Sequence, residues 1–176
     1  LKKRAFEANK MTKWSPISLV LLMFLSGCFF MIDRNVTNDT RFSSVVGQTY
    51  ETKKDLLAFR YRDNKSTVYI DEFSSHNGGL PSKDQLKEGV YRHGDYIIEG
   101  LVPSGTRYRV DRIVEENHFE DSSLGIYAKI TASSNTRLVN LNINVYWLLT
   151  ELYPSGVPQF QPDLVSSPKL EEKKDE

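Results

Sequence analysis

At 176 residues the chain has room for one domain with appendages and not for a multidomain assembly. Its 23 basic and 23 acidic side chains cancel, which removes the broad basic excess that nucleic-acid binding draws on, so no nucleic-acid partner is expected. A single cysteine excludes both an internal disulfide and a Cys-based zinc cage.

The charge is unevenly spread. Residues 1–27 hold five basic side chains (Lys2, Lys3, Arg4, Lys10, Lys13) and one acidic one (Glu7), leaving 18 basic against 22 acidic in the rest. From Trp14 to Ile32 nothing ionises except the thiol of Cys28, and residues 17–25 form a short apolar block behind Lys13. This is the basic n-region and apolar h-region of an export signal, a short helix set aside before any fold argument. The block ends in Leu25-Ser26-Gly27-Cys28.

That tetrapeptide resembles the lipobox of bacterial lipoproteins at every position: small residues at Ser26 and Gly27 fit a peptidase groove, and Cys28 supplies a side chain that can be thioether-linked to a diacylglycerol. The resemblance implies cleavage between Gly27 and Cys28, loss of residues 1–27, and attachment to membrane lipid, palmitate included, through acylated Cys28. The uncharged, mostly apolar stretch from Trp14 to Ile32 is 19 residues long and also approaches the roughly 20 of a bilayer-spanning helix, so an uncleaved anchor is the alternative. In lipoproteins of two-membrane bacteria, Asp after the cysteine commonly retains the protein at the inner membrane. Phe29 stands there in this chain, so the resemblance implies the outer membrane, facing the periplasm.

Residues 28–44 are rich in Asn, Thr, Ser and Asp after the apolar Phe29 to Ile32, and read as the lipidated cysteine and a flexible tether. Residues 45–153 read as a β-domain. Period-two alternation marks strands at 56–62 (Leu57, Phe59, Tyr61), 67–73, 96–101, 106–114 and 123–131. Residues 83–88 are the one helix-like patch. Arg112 interrupts the alternation of Tyr108 and Val110, and Ile113 takes up the apolar role beside it, which predicts a bulge. The longest alternation, Val139, Leu141, Ile143, Val145, Trp147 and Leu149 against Asn140, Asn142, Asn144 and Tyr146, predicts one long half-buried strand with Trp147 inward. Residues 154–176 hold four of the seven prolines and end in a charged run, and read as a disordered tail.

The expected fold is mainly β, a small antiparallel barrel or sandwich, because closure is how a small sheet hides its edges. The turn and strand of residues 100–110 resemble those of SH3-like barrels.

The common catalytic signatures are missing: no Gly-x-Ser-x-Gly, Gly-x-x-x-x-Gly-Lys or Gly-x-Gly-x-x-Gly occurs. His118-Phe119-Glu120 has the His-x-Glu spacing of zinc deaminases but lacks their Pro-Cys-x-x-Cys. The acidic run from Glu115 to Asp121 reads as a solvated hairpin loop, and His93-Gly94-Asp95 as a turn. No metal or other cofactor is expected. The remaining feature is aromatic residues interleaved with arginine: Arg60, Tyr61 and Arg62 in one strand, Arg107, Tyr108 and Arg109 in another. These could cover a sheet or form a shallow surface that grips an envelope protein or a glycan. The sequence therefore points to a non-enzymatic, lipid-anchored binding or assembly module of the cell envelope. The alternative is an envelope hydrolase, or an inhibitor of one, built on scattered carboxylates with His76, His93 or His118.

Overall fold

The computed structural model describes residues 32–64, 66–73, 80–88, 90–117, 122–151, 156–166 and 168. The protein is mainly β. Among the described residues the strands are β1 (Arg34–Asn35), β2 (Thr49–Glu51), β3 (Leu56–Tyr61), β4 (Val68–Glu72), β5 (Tyr91–His93), β6 (Tyr96–Val102), β7 (Arg107–Asn117), β8 (Ser122–Ala132) and β9 (Asn142–Asn144), and the α-helix is α1 (Lys83–Glu88). They form a single sheet in the order β1-β7-β8-β9-β4-β3-β6-β5, with β2 following β1 along the same edge of β7. The path stays open. All pairs are antiparallel except β4 with β9.

Alternation located β3, β4, β6, β7 and β8 to within a few residues; β4, β7 and β8 bury one face, whereas β3 and β6 bury residues on both, and on β3 the main core takes Leu56 and Ala58 rather than the alternating Leu57, Phe59 and Tyr61. Leu56, Ala58, Val68, Ile70, Tyr108, Val110, Ile113, Ile126, Ala128, Ile130, Ile143 and Val145 belong to one buried cluster. The bulge predicted beside Arg112 is present: Val110 pairs with Ala128 and Arg112 with Tyr127, leaving Asp111 as the extra residue. A second shift leaves Glu99 of β6 extra between Ala58 and Phe59 of β3. Such bulges bend their strands, and here they let an open sheet curl around its core.

Three expectations are corrected. The long strand at residues 139–149 is broken into β9 between two 3-10 turns, Thr136–Leu138 and Tyr146–Leu148. The asparagines assigned to its polar face are the breakers. Asn140 sits at φ 70°, a left-handed conformation that Asn tolerates, and Asn144 Oδ1 accepts the Tyr146 N–H at 2.9 Å, starting the next turn. Trp147 is consequently only half-buried, its indole N–H has no partner among the described residues, and Leu148 is the side chain wholly inside.

The tether is shorter than expected. Val36, Phe42 and Val45 are buried, and the polar residues between them build turns: Asn35 Oδ1 accepts from Thr37 N–H, the Ile113 N–H donates to Thr37 Oγ1, and Asp39 caps Thr40–Phe42. The domain therefore begins before Arg34.

The proline-rich C-terminal segment is likewise part of the fold. Phe160 bridges Leu149, Val165 bridges Thr52, and Leu164 and Val165 are buried. Prolines lack an amide hydrogen but impose no cost on an extended strap that docks through the residues between them. The boundary expected after Tyr153 moves to Ser166 or beyond, and residues 169–176 lie outside the described residues.

Candidate functional site

Strands β3, β4, β8 and β9 turn one face to the main core, and the opposite face of β3, β4 and β8 carries aromatic residues. Partners directly opposite in a ladder share a face. Chaining the registers gives one row across the sheet: Arg112 on β7, Tyr127 on β8, Asn144 on β9, Tyr69 on β4, Phe59 on β3 and Ile98 on β6. A second, shorter row places Tyr61, Tyr96 and His93 side by side.

Helix α1 covers one part of this face. Its Leu86 is fully buried against Leu57, Ile98 and Leu101, with Phe73, Leu80 and Tyr91 packed around them. Beyond that small cluster lie four rings in mutual contact. Phe59 meets Tyr69 at 5.8 Å between centroids, stacked, and Tyr96 at 5.4 Å, edge to face. Tyr61 meets Tyr69 at 5.5 Å and Tyr96 at 5.3 Å. Phe59 is buried, while the three tyrosines are half-buried and keep part of each ring in solvent.

Tyr127 extends the patch. The Arg112 guanidinium lies 4.4 Å above its ring, and its hydroxyl donates to Glu116 Oε1 at 2.8 Å. A Cβ at Gly125 would collide with Glu116 and Tyr127, so the glycine makes room for this pair. Burial raises the hydroxyl pKa of Tyr61, Tyr69 and Tyr127, aided by neighbouring Tyr96, Asp71 and Asp63 at Tyr61, by Glu116 and Tyr61 at Tyr69, and by the Glu116 hydrogen bond at Tyr127. All three are neutral phenols at neutral pH. The face thus offers flat apolar rings, neutral hydroxyl tips and a rim of Asp63, Asp71, Glu116 and Arg112.

The arginine and aromatic residues singled out from sequence do not form one surface. Arg60 to Arg62 lie at the end of β3 and Arg107 to Arg109 at the start of β7, with β4, β9 and β8 between the two strands. Tyr61 is in the aromatic patch. Arg60 is half-buried and pairs with Glu99 at 2.7 Å, and Arg62 is exposed. Tyr108 is corrected outright: it is fully buried, because alternation along β7 turns Arg107 and Arg109 outward and Tyr108 into the core. Arg107 pairs with Glu51, and Arg109 with Asp111.

Glu115 and Glu116 are in β7 rather than in a loop, the first paired with Arg34 and the second with Tyr127. Gly27, Cys28, His76, His118 and Glu120 lie outside the described residues. His93 is half-buried on β5, and Asp95 is exposed in the turn that follows. An open cleft of about 450 Å³ between Asp55, Leu101, Pro103 and residues 134–137 contains no histidine. Among the described residues, no three His, Cys, Asp or Glu side chains gather as metal ligands.

Sequence reasoning missed Phe59, Tyr69, Tyr96 and Tyr127 as partners. Tyr69 and Tyr127 lie at outward positions of correctly placed strands, and Phe59 and Tyr96 on the face of β3 and β6 opposite the main core, but only the register brings them together. Scans against protein families, curated proteins and solved structures find no match to this chain.

Proposed function

We propose that this chain is a lipid-anchored protein of the bacterial cell envelope whose β-domain is a non-enzymatic binding module for a glycan strand. The observation that carries the binding role is the patch of Tyr61, Tyr69, Tyr96 and Tyr127 on the sheet face turned away from the main core. Tyrosine supplies rigid amphipathic contact area at low entropic cost. Saturated sugar rings present C–H faces that stack on such rings, and hydroxyls that reach phenols and carboxylates. The rim of Asp63, Asp71 and Glu116 favours a ligand rich in hydroxyl donors and repels polyanions. Anchorage rests on the lipobox, with Cys28 as the acylated residue and Phe29 directing transport to the outer membrane where there are two membranes.

Calorimetric titration with soluble N-acetylhexosamine oligosaccharides tests the binding role. Saturable binding is expected, weakened at least several-fold by Tyr69→Ala or Tyr96→Ala and unchanged by Arg107→Ala at the far end of the sheet. No saturable binding, or equal loss in the Arg107→Ala chain, overturns the glycan reading. Capture of a protein by the lipidated chain through the same tyrosines would transfer the surface to a protein partner.

A further inference from the structure

We infer that the anchored domain stands on the membrane by a defined pole: the β7–β8 hairpin end faces the lipid headgroups, and the opposite end, where Ser166 is held against Glu51, points outward. This inference rests on the lipoprotein reading of Cys28 and adds to it the orientation of the domain.

The first argument is reach. Between Cys28 and Ile32 there are four peptide steps, at most about 14 Å of fully extended chain. From Ile32 onward the chain is fixed to the end of β7. Asn117 Nδ2 donates to the Ile32 carbonyl at 2.7 Å and the Asn117 N–H to Asp33 Oδ1 at 3.3 Å, after which Arg34 and Asn35 pair with Glu115 and Val114. A tether running to Ser44 would have allowed about 55 Å and any orientation. The short one holds the Asn117 end within one short leash of the acyl chains.

The second argument is chemistry. The leash is Phe29-Phe30-Met31-Ile32, and Ile32, where the fold begins, is 60% exposed beside Asn117. An apolar leash next to an acylated cysteine partitions into the interfacial region, which shortens its effective reach. Charge does not select this pole, since Asp33, Asp39, Glu115 and Glu116 accompany Arg34 and Arg41 there; the lipid does.

The third argument is polarity along one ruler. β7 and β8 run from this pole to the other: Asn117 pairs with Ser122 at the near end and Arg107 with Ala132 at the far end. Ten residues of strand separate Ser122 from Ala132, about 30 Å. At the far end Arg107 pairs with Glu51, whose carbonyl accepts the Ser166 N–H at 2.9 Å. Ser166 therefore lies at the end away from the bilayer. A wall on one side confines the domain to the outer half-space, so the end opposite the attachment is the more distant on average.

Acylation removes the thiol of Cys28, so one introduced cysteine is the sole free thiol of the mature chain. Ser122→Cys and Ala132→Cys, both exposed, are labelled with a fluorophore in the full lipidated protein. Each is then reconstituted in phospholipid vesicles carrying headgroup nitroxides. Quenching is expected to be several-fold stronger at position 122. An insertion of about twenty Gly and Ser residues after Met31, with a reach of about 25 Å, should shrink that difference. Equal quenching, or stronger quenching at 132, on chains whose mass shows the diacylglycerol overturns the posture and leaves the lipoprotein reading intact. A Cys28 peptide of unmodified mass overturns the lipoprotein reading and the posture with it.

Discussion

Leu164 tests whether the C-terminal segment is a structural strap. It is 1% exposed, in the same cluster as Tyr50, Tyr108 and Val165, and its carbonyl accepts the Lys53 N–H at 2.7 Å. The strap caps an aromatic stack: Tyr50 and Tyr108 lie 5.8 Å apart, and Phe160 tilts against Tyr50 at 4.5 Å. Leu164→Ala removes three buried carbon atoms and leaves the backbone bonds in place, so the change isolates packing. Leu→Ala at such a site costs about 2–5 kcal/mol, against a typical total stability of about 5–15 kcal/mol. For a domain of this size each kcal/mol lowers Tm by roughly 4 °C, which gives a fall of about 8–20 °C. The assay is thermal denaturation of the soluble chain lacking residues 1–28, followed by circular dichroism. Asp163→Ala serves as control: its side chain is 61% exposed and meets Lys54 only at the surface, so little change is expected. If the two variants melt within about 2 °C of each other, the strap does not seal the core, and the domain ends where its prolines begin.

Two further outcomes follow from buried tyrosines. Tyr108 is fully buried and its hydroxyl has no partner among the described residues, so Tyr108→Phe should leave Tm unchanged or raise it; a large fall would show that the hydroxyl is bonded. Burial pushes the Tyr50 hydroxyl up to about 12 and raises that of Tyr108 well above its ordinary value, so the folded chain holds these protons more tightly than the unfolded one. Stability from this source is fully present below pH about 10 and is lost as pH rises through about 12. Urea midpoints should decline across that window, less steeply in Tyr50→Phe, and a flat midpoint would contradict the burial.

How far the fold was legible depends on what each stretch of sequence had to do. β4, β7 and β8 were legible because each turns one face to the main core and alternation records that directly; β3 and β6 were located too, but they bury residues on both faces, so alternation on β3 picked out Leu57, Phe59 and Tyr61 opposite the main core. The Asp111 bulge was legible because Arg112 breaks the alternation where Ile113 resumes it. The segments before β2 and after β9 were not: Val36, Phe42, Leu164 and Val165 are isolated apolar residues among turn-formers, and what makes them core is the distant surface they meet. Asn140 and Asn144 misled in the opposite direction, since a residue that fits the polar face of a strand also fits the turn that ends one.

The aromatic patch was invisible for a related reason, and its placement separates stability from binding. Val68 and Ile70 on β4, and Ile126 and Ala128 on β8, face the main core, while Tyr69 and Tyr127 between them face the other way. No single strand contains the patch, because it exists only as a row at right angles to the chain, fixed by five registers at once. Ring contacts of this kind contribute about 0.5–1.5 kcal/mol each beyond burial, far less than the core residues beside them. Tyr69→Phe and Tyr96→Phe keep the rings and remove only the hydroxyl tips. If the patch grips a ligand through those tips, the variants melt like the parent and bind less, whereas loss of fold and binding together would make the tyrosines part of the scaffold.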